Sequence, residues 1–271
     1  AKLGGATACE CNVSDGFGQT VTVRQNEVET IEYNRDKGLS VTVYIGQKRG
    51  NASTSDFSPQ AINDTVAAAL SIARYTAEDD CAGLADPKLF ARTFPDLDLY
   101  HPWSLPVENA IELARKCEAA ALAVDKRISN SEGASISLSE SQFIYANSLG
   151  FMAGHPLSRQ SVSCSVIAQQ DKAMQRDYWY SVARDVSDLE LIDVVGKKAG
   201  ERTVARLGAR KIPTCEVPVL FEAPVASSLM NHFVSAVSGS SLYRKSSFLL
   251  DSVGQQVFAP NIQIRELPFI K

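Results

Sequence analysis

The order of strand-type and helix-type stretches is the feature that most constrains what this chain can fold into. Alternating, β-branched segments fill the region from Thr7 to Ser53 and return between Ile128 and Ala183, with helix-type segments between and after them. A doubly wound parallel sheet would require strands and helices to alternate regularly, and here they do not. The order therefore predicts an α+β fold in which helices pack on antiparallel β-sheets.

Capping residues and helical periodicity predict three helices in this part of the chain. Ser58 and Pro59 begin the first, which extends to Tyr75. The second runs from about 107 to 124, and the third follows Asp188, whose carboxylate can cap it. Basic residues recur along the third helix at four-residue steps, which is typical of a solvated face, with phosphate binding as the alternative. These residues are Lys198, Arg202, Arg206 and Arg210.

Turn-forming residues mark the connections between these elements. Asn34 to Gly38 has the composition of a hairpin turn, and Gly150 and Gly154 are predicted to lie in turns. The segment from Ala77 to Pro106 is rich in Pro and Asp and is predicted to be a surface loop.

A polar, Pro-containing linker from Lys211 to Pro218 predicts a domain boundary. After it we expect a buried strand from Val217 to Phe221 and a fourth helix from Val225 to about Gly239. The resulting division is an N-terminal α+β domain over residues 1–210 and the truncated beginning of a second domain over residues 211–271. The absence of an initiator Met and the abrupt end after Phe269 lead us to expect a fragment of a longer protein.

Composition narrows the functional classes. The chain has 31 acidic and 27 basic residues, a net charge of −4 and a pI near 5.5, so nucleic acid is an unfavourable partner. No run approaches the roughly 18 apolar residues of a membrane span, which predicts a soluble protein without membrane contact. Six scattered cysteines indicate reduced thiols and a cytoplasmic location. Cys9 and Cys11 share a strand face, but no second ligand pair follows them, which favours a structural role.

Catalytic motifs are absent from the sequence. It contains no P-loop, no G-x-G-x-x-G before a helix and no G-x-S-x-G. The only histidines that could serve as a base are His101, His155 and His232, and a structural role is favoured for each. Residue types and spacing alone thus identify no catalytic residue.

Three segments resemble a known family: Asp125 to Gly133, Ser187 to Leu189 and, most specifically, Gly239 to Ser252. They are similar to the TldD/PmbA metallopeptidase family, which also carries the name modulator of DNA gyrase, and in particular to its PmbA (TldE) branch. Members of this family are longer, with an additional N-terminal helix and a β-rich C-terminal domain. The resemblance therefore implies that residues 211–271 begin a peptidase-like domain.

The resemblance also indicates where a metal motif would lie. Active TldD-type members carry H-E-x-x-x-H on a helix, in which two His bind zinc and the Glu acts as general base. Aligning Leu229 and Met230 with the apolar pair before that motif puts Asn231 at the first ligand position, His232 at the Glu position and Ala236 at the second ligand position. No ligand position is filled. The resemblance implies no catalytic and no metal-binding residue in this chain, and zinc in a TldD-type partner.

The function implied by the resemblance is that of a non-catalytic PmbA/TldE-type subunit of a cytoplasmic zinc metallopeptidase complex. Together with a TldD-type partner it would act in the processing or degradation of small or unfolded peptides, and a homodimer in isolation is left open. Residues expected near the partner or the peptide are Gly239, Tyr243, Arg244, Lys245 and Asp251. The alternative for this segment is a helix-to-loop connection that only packs.

Two other functions stay open at this point. The chain could itself be a hydrolase with an unrecognised metal site or nucleophile, as the family's peptidase label suggests. It could also be a peptide- or gyrase-linked binding module without enzymatic activity, although the acidic balance disfavours DNA binding.

Overall fold

The structure, a computed structural model, describes residues 1–270 and divides them into two compact units, residues 1–209 and residues 210–270. The first unit contains six strands and three α-helices: β1 (Ala8–Arg24), β2 (Glu27–Ile45), β3 (Lys48–Thr54), α1 (Pro59–Tyr75), α2 (Val107–Leu122), β4 (Ile128–Asn147), β5 (Met152–Gln170), β6 (Ala173–Ala183) and α3 (Ile192–Ala205). The second unit contains α4 (Ala223–Val237) and α5 (Gly239–Tyr243). Single 3₁₀ turns occur at Lys2–Gly4, Pro87–Leu89 and Val186–Asp188.

All six strands form one antiparallel sheet in the order β3-β2-β1-β4-β5-β6. This confirms the α+β class with an antiparallel sheet. The central pair, β1 and β4, joins the two β-rich regions over fourteen registered positions from Glu10–Asn147 to Val23–Ala134.

The helices cover one face of the sheet and create two separate cores. Helices α2 and α3 pack on β1, β4, β5 and β6 around a cluster that includes Val21, Ile136 and Val162. Helix α1 packs on β2 and β3 around Val43 and Ala73. The opposite face carries the alternate side chains of each strand, which include polar residues and exposed rings such as Phe143, Tyr178 and Tyr180. Hydroxyl pairs lie on it, for example Thr20 and Ser137 with their oxygens 2.9 Å apart.

Helices α2 and α3 approach each other closely because α3 presents glycine to α2. A Cβ atom at Gly196 would lie 2.0 Å from the Cys117 carbonyl oxygen, and one at Gly200 would lie 2.6 Å from the Ala121 carbonyl oxygen. Neither contact leaves room for a side chain. The glycine spacing on α3 therefore sets the distance between the two helices.

The turn between β1 and β2 is the most tightly determined connection of the first unit. Gln25 and Asn26 both have left-handed backbones, with φ of 52° and 65°, as a two-residue hairpin of type I′ requires. Glu118 of α2 is 1% exposed, and its two carboxylate oxygens each accept a backbone N–H at 2.8 Å, one from Gln25 and one from Asn26. A buried carboxylate is thereby satisfied, and the hairpin is fixed to the helix.

The hairpin turn predicted at 34–38 is wrong, because β2 continues through those residues. They pair with Ser14 to Gly18 of β1, and a partner strand of that length keeps them extended despite their turn-type composition. Gly154, predicted to be in a turn, also lies within a strand, opposite Ile144, where a Cβ would contact the Phe143 carbonyl oxygen. Gly150, with φ of 89°, does lie in the β4–β5 turn.

All four helix predictions are confirmed in outline, the fourth as α4 (Ala223–Val237), and one cap is wrong. Ser58 caps α1, accepting the Ala61 N–H with its hydroxyl. Asp188 does not cap α3, which begins at Ile192 after Leu191 and has no side-chain cap. The carboxylate that acts nearby belongs to Asp185, which accepts the Ser187 N–H in the preceding 3₁₀ turn. The predicted strand from Val217 to Phe221 is also wrong: these residues are exposed, and no strand is assigned to them.

We expect Glu118→Gln to destabilise the protein by about 1–3 kcal/mol, because an amide keeps one acceptor and places a donor against the second backbone N–H. Glu112→Gln on the same helix is the matched control, since Glu112 is largely exposed and its contact with Arg115 contributes little. The free energy of unfolding, measured by denaturant titration, checks the difference. Equal stabilities for the two variants would contradict the role assigned to Glu118.

Candidate functional site

The three positions of the degenerate metal motif lie on α4. Asn231 and His232 are exposed, whereas Ala236 is 7% exposed. The carbonyl oxygen of Ala236 accepts a hydrogen bond of 2.6 Å from the Ser247 hydroxyl, and that hydroxyl oxygen accepts the Leu249 N–H at 3.0 Å. The chain after α5 therefore folds back against the helix at the second ligand position.

The geometry of α4 separates the two ligand positions. Residues five apart on a regular α-helix are rotated by about 140° and displaced by about 7.5 Å along the axis. This agrees with the exposure of Asn231 and the burial of Ala236. The active motif H-E-x-x-x-H has the same five-residue spacing, so zinc binding is excluded by the chemistry of the Asn and Ala side chains and not by their separation.

The segment from Gly239 to Asp251 forms a compact turn with exposed side chains. Ser238 caps α5 by accepting the Ser241 N–H, and the Ser246 N–H donates to the Ser241 carbonyl at 2.9 Å. Lys245 and Asp251 have left-handed backbones, with φ of 55° and 57°. Tyr243 is 89% exposed, and Arg244 and Lys245 are exposed beside it. The side chains predicted to meet a partner or a peptide are accessible, and their role stays a prediction.

A groove of about 540 Å³ lies in the same unit, between Phe233 of α4 and residues 255–264. Phe233 of α4 forms an edge contact with Phe258, with ring centroids 5.1 Å apart. Val257, Ile262 and Ile264 contribute apolar surface to the lining. The groove can hold apolar groups, and no titratable side chain lines it.

His101 is engaged structurally. Its Nε2 and Nδ1 atoms each lie 3.3 Å from a carboxylate, of Asp98 and Asp185 respectively, and its backbone carbonyl accepts Gln160 Nε2 at 3.1 Å. The nearby Ser158 hydroxyl accepts the His101 N–H and donates to the Arg184 carbonyl. These hydrogen bonds involve the His101 backbone and the Ser158 hydroxyl, and they attach the end of the predicted surface loop to the sheet. Ser158 and His101 therefore do not form a nucleophile with its base.

The remaining chemical candidates form no site. His155 is exposed and contacts the edge of the Phe143 ring, with centroids 5.7 Å apart. Cys9 and Cys11 pack against the core under α1, and burial raises the pKa of the Cys11 thiol. Within residues 1–270, no group of three His, Cys, Asp or Glu side chains is placed to hold a metal ion. None of the helices described there is long and apolar enough to cross a membrane.

The solvated-face prediction for the basic stripe is wrong in part: Lys198, Arg202 and Arg206 have partners, although Lys198 and Arg206 are still 43% and 56% exposed, and Arg210 lies beyond the end of α3 and is exposed. Lys198 Nζ lies 2.7 Å from the Glu190 carboxylate and 5.1 Å from the centre of the Trp179 ring. Arg202 lies over the same ring, and both Arg202 and Arg206 approach the buried carboxylate of Asp177, at 3.6 and 3.4 Å. The stripe holds α3 on β6, and only the alternation of Asp177 and Trp179 on that strand could have indicated this from sequence.

Residues 125–133, one of the three segments that resemble the family, have a structural role. Arg127 donates to both carboxylate oxygens of Asp125, which lowers the pKa of that carboxyl to about 2. Gly133 has φ of 109°, and a Cβ there would lie 2.9 Å from the Val23 carbonyl oxygen. Glu132 accepts from Arg176 and Ser165, which lowers its pKa. This segment shapes the start of β4.

Comparisons with known proteins cover nearly the whole chain. Three family models match consecutive parts of it: PmbA/TldA metallopeptidase domain 1 at residues 9–73, the central domain at 100–207 and the C-terminal domain at 214–271. The Metalloprotease PmbA of Escherichia coli O157:H7 is 45% identical over 267 residues, which is 98% of this chain and 59% of the relative. A Metalloprotease PmbA homolog of Haemophilus influenzae is also 45% identical, over 100% of this chain and 60% of its own length.

Solved structures show the same fold. A putative modulator of DNA gyrase from Bacteroides thetaiotaomicron superposes with a TM-score of 0.85 and 26% identity, covering 93% of this chain and 57% of that one. TldE from Thermococcus kodakarensis superposes with a TM-score of 0.68 at 14% identity, over 93% of this chain and 57% of its own, which shows the fold alone. The chain spans about three fifths of the length of the curated relatives it matches.

We expect Ala236→His to destabilise the second unit by about 1–3 kcal/mol, because an imidazole would have to displace the Ser247 turn from the helix. Asn231→His should change stability by less than about 0.5 kcal/mol, since that position is exposed. Limited proteolysis of residues 210–270 measures the stability change in each of the two variants. Equal resistance of the two variants would mean that position 236 accommodates a ligand side chain.

Proposed function

Because the chain belongs to the PmbA/TldD metallopeptidase family, we propose that it serves as a non-catalytic, PmbA/TldE-type subunit of a zinc metallopeptidase complex. The single observation that carries this proposal is the state of the motif on α4, where Asn231 and Ala236 stand at the ligand positions and His232 at the general-base position. A catalytic zinc site needs three protein ligands and an open position for water. Helix α4 supplies neither of the two ligands that the motif would provide.

The proposed complex pairs this chain with a TldD-type partner that carries the zinc. In that complex the partner's motif would hold the zinc and supply the metal chemistry of peptide hydrolysis, and this chain would close the space in which small or unfolded peptides are cut. The reduced cysteines, none of them disulfide-bonded in the described residues, agree with the cytoplasmic location that we propose.

The segment 239–251 is the proposed contact with the partner or the peptide. Its Tyr243, Arg244 and Lys245 side chains project from a backbone fixed by Ser238, Ser246 and Ser247, and each of them is exposed. An exposed aromatic ring flanked by two cations is a composition enriched in interaction sites.

The first experiment measures zinc content and cleavage of an unstructured peptide by the full-length protein, alone and mixed with its TldD-type partner. We expect the protein alone to contain no stoichiometric zinc and to be inactive. The mixture should be active and sensitive to a chelator. A partner in which the Glu of its H-E-x-x-x-H motif is replaced by Gln is the control, and it should abolish activity.

A protein that binds one zinc per chain and cleaves the peptide alone would overturn this proposal. Activity of that kind would support the alternative, in which the chain is itself a hydrolase whose site lies outside the motif on α4. Tight DNA binding with a steep dependence on salt would instead support the gyrase-linked binding module.

A second experiment tests the contact segment. Arg244→Ala combined with Lys245→Ala should lower the peptidase activity of the mixture or its affinity for the partner by about tenfold, because two exposed contacts are lost. Lys211→Ala combined with Arg265→Ala removes the same charge from other exposed positions of the unit and is the matched control. Equal effects of the two pairs would mean that the segment only packs.

A further inference from the structure

On the helix side of the sheet, the described helices leave a strip between the two cores uncovered. Val13 of β1 packs with the core under α1, and Val21 belongs to the core under α2 and α3. Asp15 and Phe17 lie between them on the same face, because residues two apart on a strand point the same way. Asp15 is exposed, and Phe17 is 40% exposed.

A cavity of about 360 Å³ opens on this strip. Its lining includes Asp15 and Phe17 of β1, Glu140 of β4 and Tyr100 of the loop that precedes α2. Phe17 stands directly opposite Glu140 in the β1–β4 ladder. The cavity therefore combines two carboxylates with two aromatic rings. Its other lining residues are Gly16, Ser141, Gln142 and Pro156.

The ring of Tyr100 is held in place at this cavity. Its hydroxyl donates to Glu140 Oε2 at 2.8 Å, and this hydrogen bond raises the pKa of the phenol, so the ring stays neutral near pH 7. On either side of Tyr100, the Leu99 carbonyl accepts the Ser158 N–H at 3.0 Å and the His101 N–H donates to the Ser158 hydroxyl at 2.7 Å. This wall of the cavity is therefore formed before any ligand binds.

The neighbouring cations of β2 do not neutralise the cavity. Lys37 stands opposite Asp15, and Arg35 lies two residues before Lys37 on the same face. The Lys37 ammonium lies 5.2 Å from the centre of the Phe57 ring, and among residues 1–270 neither cation forms an ion pair with Asp15 or Glu140. A cationic guest would thus meet the Asp15 carboxylate and the second carboxylate oxygen of Glu140.

The cavity continues along β4 and β5 into a more apolar one of about 230 Å³. The two cavities share Gln142 and Pro156 in their linings, and we call them together the trough. Ile144, Met152, Ala153, Gly154 and His155 complete the lining of the second cavity. Because Glu140 and Ile144 are four residues apart on one strand, the acidic end and the apolar end are separated by about 13 Å.

We propose that the trough binds an organic cation that carries an apolar group. The ammonium or guanidinium group lies between Asp15 and Glu140, against the two aromatic rings, and the apolar group lies beside Ile144 and Met152. Carboxylates bind such cations through charge-assisted hydrogen bonds, and aromatic faces attract them. A basic side chain of a peptide and a free aliphatic amine share this chemistry.

Isothermal titration calorimetry with the full-length protein tests the proposal and separates the two sources. The peptide probe is Ac-Arg-Ala-Leu-amide, in which Arg and Leu are two residues apart and point the same way, about 6.8 Å from each other, when the chain is extended. Hexylammonium is the probe for a free amine. We expect Ac-Arg-Ala-Leu-amide to bind at least tenfold more tightly than the same peptide with neutral citrulline in place of Arg. Binding of hexylammonium with the same dependence on the carboxylates would identify a free amine as a ligand.

Two double variants test the site. Asp15→Asn combined with Glu140→Gln should weaken binding of the cationic probe by roughly tenfold or more, because both carboxylates are lost. The amide at position 140 can still accept the Tyr100 hydroxyl, so the wall of the cavity is kept. Glu32→Gln combined with Asp36→Asn is the matched control. It removes the same charge at exposed positions on the opposite face of the sheet, and it should leave binding unchanged.

Three outcomes would overturn the proposal: neither cationic probe binds at millimolar concentration, the Arg and citrulline peptides bind equally, or the two double variants have equal effects. A thermal unfolding curve of each double variant shows that it is folded. The titrations need no zinc, no partner and no cleavage, so their outcome is independent of the proposed subunit function.

Discussion

The pairing of β1 with β4 is the interaction on which the first unit depends. It joins the hairpin of β1 and β2, which ends at Ile45, to strands that begin only at Ile128. Both helical cores form on the sheet that this ladder makes continuous, one under α1 and the other under α2 and α3. Backbone hydrogen bonds give the ladder its geometry, and burial of Val21 and Val23 of β1 beside Ile136 of β4 selects its register, because a slip of one strand by one residue would turn its apolar side chains to the opposite face.

Several groups that look chemical in the sequence are used to hold this architecture together. The Glu118 carboxylate binds the β1–β2 turn, Asp177 receives two arginines of α3, and His101 lies between two carboxylates at the end of the sheet. Buried or half-buried charges of this kind need partners, and here the partners are structural.

The second unit differs in what its residues do. Helix α4 carries the degenerate motif without ligands, and the turn that follows presents Tyr243, Arg244 and Lys245 to solvent. The turn after α4 is the surface that we propose for contact with a partner or a peptide, and its side chains are accessible for it.

What the sequence determined by itself is the fold class, the helices and the state of the motif. Ser58 and Pro59 set the start of α1 through local capping, and Asn231 and Ala236 exclude ligation by their chemistry alone, because such properties depend only on neighbouring residues. Tertiary structure decided the rest. Residues 34–38 have the composition of a turn and become a strand because β1 offers a partner along their whole length, and the basic stripe of α3 is bound to β6 because Asp177 and Trp179 lie beneath it. Each of these outcomes depends on contacts with a second segment, β1 in one case and β6 in the other. Local sequence patterns could not reveal them, because they do not show which segments pack together.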